Sequence, residues 1–166
     1  PSAEAVRDLL LAHGTEWQPL SEALLHAAAR GQHLAETVRP ALEAGRWVVS
    51  DRFSDSTRAY QGWGQGVPLE TLDELERMVV ADTRPDLSLI LDVAPEIGLA
   101  RAHGRGHGAD RYEAMELSFH QRLRESYRAI AEAAPERCVL IDASGAEDAV
   151  EAAVRAAVRD RLGVAV

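Results

Sequence analysis

An acid and a base stand side by side at Asp51-Arg52, directly after a short apolar run, Trp47-Val48-Val49. Ser56, Thr57, Tyr60 and Gln61 follow closely, with glycines at alternate positions from Gly62 to Gly66. Hydroxyl, phenol and amide groups both donate and accept hydrogen bonds, and an amide such as Gln61 can pair with the edge of a base. Arg52 can hold a phosphate through its planar fork, and Asp51 can orient a metal-bound water or the arginine. Taken alone, Asp51-Arg52 reads as an ion pair at a strand end. The polar residues beyond it turn the reading towards a ligand, because open α/β sheets bind ligands outside the carboxyl ends of their strands.

A second concentration of charge, Arg101, Arg105 and Arg111, is interleaved with Gly104, Gly106 and Gly108. A helix that needed only solubility would not be interrupted so often, and a flexible basic flap closing over a polyphosphate accounts for both features. His103 and His107 lie four apart, but the flanking glycines speak against a rigid helical metal pair. Arg30, among the small residues of 24–33, reads by itself as a surface arginine. Trp17, Trp47 and Trp63 read as packing residues.

These groups need elements to place them. Apolar spacing predicts a helix over 3–12 and a longer helical region over 19–44, with Leu20, Leu24, Leu25 and Ala28 on its inner face, a kink at Pro40 and a stop at Gly45. Residues 46–50 read as a buried strand that delivers its polar end to a loop. Pro68 opens a helix with an apolar stripe of Leu69, Leu72, Leu75, Met78 and Val79. Residues 87–93 read as a strand apolar on both faces and ending at Asp92, and Pro95 starts a short helix. A long helix over 112–133 carries Phe119, Leu123, Tyr127 and Ile130. A third strand, 138–141, ends at Asp142, and Ser144 with Glu147 fits a capping box for a last helix. Strands alternating with helices imply a parallel sheet with right-handed crossovers.

At 166 residues with 46% hydrophobic and 27% charged content, the chain suits one soluble domain with a real core. A net charge of -9 argues against nucleic acid or an anionic membrane as partner, so positive charge for an anionic ligand must be local. The single cysteine, Cys138, excludes an internal disulfide and fits a reducing cytoplasm. No apolar run approaches a membrane span. The opening Pro1-Ser2-Ala3 reads as a beginning cut from a longer chain.

Several motifs in order resemble those of bacterial thymidylate kinases. They are Arg30-x-Gln32-His33, Asp51-Arg52-Phe53 with Ser56, Ala59-Tyr60-Gln61-Gly62, Arg84-Pro85-Asp86-Leu87, Leu91-Asp92-Val93-x-Pro95-Glu96, the arginine lid ending Asp110-Arg111, and Ile141-Asp142-Ala143. The resemblance covers essentially the whole chain. It implies an α/β fold, the P-loop NTPase-like nucleoside monophosphate kinase fold, as one domain over 1–166 with a lid at about 101–111. It also implies transfer of the ATP γ-phosphoryl group to dTMP, with Mg2+, in a cytoplasmic homodimer.

Carried over by position, Arg52 contacts the dTMP phosphate, Asp51 sits near the magnesium shell through water, and Arg30 and Gln61 read the thymine edge with Ser56 nearby. Tyr60 presses on the sugar, and Arg101, Arg105 and Arg111 close the lid over the transferring phosphoryl. His26 stands where the family usually has a phenylalanine stacked on thymine, and the lid is one residue longer than usual. The family's first strand, its glycine-rich phosphate loop and its second strand have no counterpart in the sequence. The resemblance therefore implies a fragment that does not phosphorylate efficiently alone. Two rival readings remain open here: a nucleotide-binding module without catalysis, and a kinase for another nucleotide or nucleoside.

Overall fold

The computed structural model describes residues 2–11, 16–104, 112 and 115–164. The chain divides into two compact units, Pro1–Arg84 and Pro85–Val166.

In the first unit, helix α1 (Ser2–Leu11) packs on α2 (Pro19–His33). A π-helical turn, Leu34–Val38, leads from α2 into α3 (Arg39–Glu43). Pro40 has no amide hydrogen to give the preceding turn, and the ladder widens just before it. Gly45 ends the run at φ +69°, with Arg46 N–H donating to Ala41 O and Gly45 N–H to Leu42 O, both at 2.9 Å. That pair of bonds is a Schellman stop, which favours glycine because the left-handed backbone crowds a Cβ.

Residues 46–50 are not a strand. A strand needs a second strand for its N–H and C=O groups, and no strand pairs with this stretch among the described residues. Val48 alone in it is half-buried, packed on the Leu34–Val38–Val80 cluster, while Trp47 and Val49 are 66% and 95% exposed.

The polar stretch after Arg52 is helical rather than a loop. It forms α4 (Ser54–Thr57) and then a π-helical stretch, Arg58–Gly64. Helix α5 (Leu69–Val79) packs closely on this stretch, since a Cβ on Gly62 would stand 2.8 Å from Leu69 Cδ2 and 3.1 Å from Leu72 Cδ1. Arg39 holds the carboxyl end of α5, donating to Val79 O at 3.2 Å and Val80 O at 3.4 Å, where a cation meets the negative end of the helix dipole.

The inner face of α2 is not the leucine face. Leu20 and Leu24 are 47% and 48% exposed, and the buried residues are Glu22, Ala23 and Ala27. Alanines permit close approach by α5, and a buried acid has partners there that leucine would not. The core is the Ala23–Val67–Leu72 cluster together with Leu34–Val38–Val80. Met78, expected in the apolar stripe of α5, is exposed, and so is Trp63, expected as a packing residue.

The second unit holds two parallel strands, β1 (Ser88–Asp92) and β2 (Cys138–Asp142), in register from Ser88↔Cys138 to Asp92↔Asp142. Helices α6 (Pro95–Gly104) and α7 (Leu117–Ala133) connect them, and α8 (Glu147–Leu162) follows. Phe119, Leu123 and Ile130, three of the four predicted stripe residues of α7, are buried with Ile90, Cys138 and Ile141. The expected capping box is absent: the residue before α8 is Ala146, with no side-chain cap. The Ser144 amide donates instead to Asp142 Oδ1 at 2.9 Å, a turn that closes the end of β2.

Candidate functional site

Arg30 projects from α2 towards the start of the polar stretch. Its Nη2 donates to Thr57 Oγ1 at 2.8 Å and to Phe53 O at 3.3 Å, with the guanidinium 5.4 Å from the centre of the Phe53 ring. Burial lowers its pKa from the usual arginine value, and the carboxylates of Glu76 and Asp55 pull the other way. Arginine keeps its charge through such a shift. Arg30 Nε and Nη1 carry no hydrogen bond among the described residues, and the side chain lines a small cavity with Ala27, Thr57, Leu72 and Glu76. A partly desolvated cation with unused donors is a site for an acceptor such as a carbonyl oxygen.

Arg52 is exposed and has φ +70°, a left-handed backbone rare for a side chain of this size. Its guanidinium sits 4.8 Å from the centre of the Tyr60 ring, and its carbonyl accepts from Ser50 Oγ at 2.9 Å. Such a backbone turns the chain sharply at the end of the apolar run. Asp51 beside it is exposed. Ser56 is half-buried, four residues before Tyr60, and His26 is half-buried on α2, four residues before Arg30.

The structure brings Arg30 and Thr57 together and takes Gln61 elsewhere. Gln61 is 1% exposed, and its Nε2 donates to Glu22 Oε1 at 2.7 Å. Thr57, one of the hydroxyl residues noted in sequence but given no role there, is the side chain that Arg30 meets. Arg58 pairs with Asp73.

In the second unit Arg101 is bound to backbone: Nη1 to Ala143 O at 2.7 Å, and Nη2 to Ser144 O at 3.0 Å and Gly145 O at 3.1 Å. The other expected lid residues, Arg105 and Arg111, and also His107, lie outside the described residues. No group of three metal-ligating side chains gathers among the described residues.

An ion-pair network there was not foreseen. Asp92 receives Arg124 Nε at 2.7 Å and Nη2 at 2.9 Å, and Arg128 Nη1 at 2.8 Å. The Arg124 hydrogen bonds hold the Asp92 carboxyl below its ordinary value against the opposing effect of burial, and Asp142 is lowered by hydrogen bonds from Ser144. These groups border an open cleft of about 470 Å³ at the carboxyl ends of both strands. Two arginines and two aspartates cancel, so this cleft offers little net field to an anion. The sequence signal was present in an acid at the end of β1 and arginines spaced i, i+4 on α7.

The crystal structure of thymidylate kinase from Ehrlichia chaffeensis matches this fold with a TM-score of 0.73, over 93% of this chain and 74% of that one, at 31% identity. The architecture is therefore that of the P-loop nucleoside monophosphate kinases, with a parallel sheet flanked by helices. A family model described as thymidylate kinase matches residues 1–154, and the chain belongs to the thymidylate kinase family. It is 51% identical to the thymidylate kinase of Nitrobacter hamburgensis over 99% of this chain and 73% of that protein. The thymidylate kinase of Caulobacter vibrioides is 48% identical over 99% of this chain and 79% of its own length. No helix among the described residues is long and apolar enough to cross a membrane.

Proposed function

We propose that the chain serves transfer of the ATP γ-phosphoryl group to dTMP, and that Pro1–Arg84 carries the dTMP site. The observation behind this is Arg30: a part-buried guanidinium held by Thr57 and the Phe53 carbonyl, with donors left over at a cavity. A guanidinium only donates, so it suits the O4 acceptor of thymine and disfavours the N4 donor of cytosine. Thr57, touching Arg30, joins it at the base edge. Gln61, its Nε2 committed to Glu22, supports that edge through the fold.

His26, one turn before Arg30, supplies a ring for the base. Tyr60 flanks the sugar with Ser56 nearby, and Arg52, placed by its left-handed backbone and the Tyr60 ring, takes the phosphate. Arg101 joins the lid by exchanging carbonyl acceptors for phosphate oxygens, with Arg105 and Arg111 as its companions. Asp51, a single exposed carboxylate, suits Mg2+, which keeps waters and binds few protein groups. The ion supplies charge neutralisation on the phosphates. A cytoplasmic homodimer, built as one domain over 1–166 with the lid at about 101–111, completes the proposal.

Calorimetric titration with dTMP, dUMP and dCMP tests the site, and ADP release with ATP and Mg2+ tests the transfer. Binding of dTMP at least tenfold tighter than dCMP, lost in Arg30→Met, is the expected result. Equal binding of dTMP and dCMP sinks the assignment of Arg30. Binding with no ADP release in a chain carrying a phosphate loop favours a nucleotide-binding module.

A further inference from the structure

Glu22 has no exposed surface. A carboxylate taken fully out of water persists where hydrogen bonds replace its hydration. Two carboxamides meet it: Gln61 Nε2 at 2.7 Å and Gln65 Nε2 at 3.1 Å, both on Glu22 Oε1. Gln61 lies inside the π-helical stretch Arg58–Gly64, and Gln65 is the residue that follows it. A single oxygen therefore ties this stretch near its middle and at its end.

A π-helical stretch is rarer than an α-helix and has to be held by its surroundings. Helix α2 holds this one at two points. Arg30 reaches Phe53 and Thr57 before the stretch, and Glu22, about 12 Å earlier along the same helix, reaches Gln61 and Gln65. Tyr60 lies between those grips.

We propose that Glu22 is a positioning residue for the acceptor nucleotide. It fixes the 58–65 geometry that presents Tyr60, and it touches no substrate itself. The functional half rests on the dTMP reading above, whereas the tie itself stands on geometry. Because both amides converge on one oxygen, glutamine at 22 keeps an acceptor for them, and leucine does not.

Hydrogen exchange at 58–65 and dTMP titration on the full chain test this with Glu22→Leu, Glu22→Gln and Gln65→Leu. Glu22→Leu is expected to speed exchange at 58–65 about tenfold, leave β2 unchanged and weaken dTMP about tenfold, whereas Glu22→Gln stays within about threefold on both. Unchanged exchange at 58–65, or an equal rise throughout Pro1–Arg84, overturns the proposal. If Glu22→Leu does not fold, Gln65→Leu decides: a rise confined to 58–65 with weaker dTMP supports the tie, and no local change overturns it. The expected exchange pattern in the variants, together with a wild-type chain that binds no dTMP, removes the site reading and leaves the tie standing.

Discussion

Arg30 in the first unit and Arg124 in the second are held in opposite ways. In Pro1–Arg84, Arg30 is held by a hydroxyl and a carbonyl through one nitrogen and keeps donors facing a cavity. In Pro85–Val166, Arg124 is forked onto Asp92, with Arg128 on the same carboxylate. A cation matched to a carboxylate has little left to offer a ligand, and one held by neutral acceptors retains both its charge and its donors. On the proposed reading the contrast separates Arg30, which recognises, from Arg124 and Arg128, which build, and it can be broken at several points.

The largest effect is expected for Arg30→Met. Loss of charge-assisted bonds to the base should weaken dTMP by about 3 kcal/mol, roughly a hundredfold, in calorimetry. Folding should lose about 1 kcal/mol, because the bonds to Thr57 and the Phe53 carbonyl go while a desolvated charge is relieved. A dTMP affinity within threefold of wild type would erase the contrast from the first unit's side.

Asp92→Asn tests the other side. Leaving Arg124 and Arg128 without their carboxylate should cost about 2 kcal/mol in urea unfolding of the second unit. The affinity for dTMP should stay within twofold. The acid dependence has a definite sign. The folded carboxyl binds its proton more weakly than the unfolded one, so the stabilisation is complete above the unfolded value and is lost as pH falls through the folded value. Acid unfolding monitored by circular dichroism should therefore show a loss below pH 3.8, the ordinary aspartate value, that Asp92→Asn removes.

Gly62→Ala sharpens the comparison by perturbing the first unit through packing alone. Its Cβ would stand 2.8 Å from Leu69 Cδ2, so either the leucine or the backbone must shift. Thermal unfolding should report a loss of about 1–2 kcal/mol, accompanied by weaker dTMP binding if 58–64 carries the site. Gly45→Ala, at φ +69° with open space around it, should cost about 1 kcal/mol of stability and leave binding alone.

The second unit was the more legible in sequence. Both strands, the stop at Asp142 and the buried face of α7 follow from apolar period and length, because burial there is decided by hydrocarbon. The first unit was misread where polar groups decide burial. Glu22 outcompetes Leu24 for the interior since two glutamines await it, and nothing in a local window of sequence announces a partner about forty residues away. Residues 46–50 were read as a strand from their composition, yet a strand is a property of two segments. Arg30 was legible as a candidate only through the resemblance, because a lone arginine among alanines carries no local mark of burial. Thr57 was visible as a hydroxyl but could not be ranked above Gln61 without knowing that the helix there widens.

That widening makes chain length a carrier of information. A π-helical turn accommodates about one residue more than an α turn, so the faces before and after it differ in phase by about 100°. Removing a single residue between Arg58 and Gly64 would restore the α phase and swing Gln65 away from Glu22, even if every remaining side chain were retained. The segment should accordingly accept many substitutions at exposed positions and almost no one-residue deletions. A deletion scan would read a constraint that a substitution scan passes over.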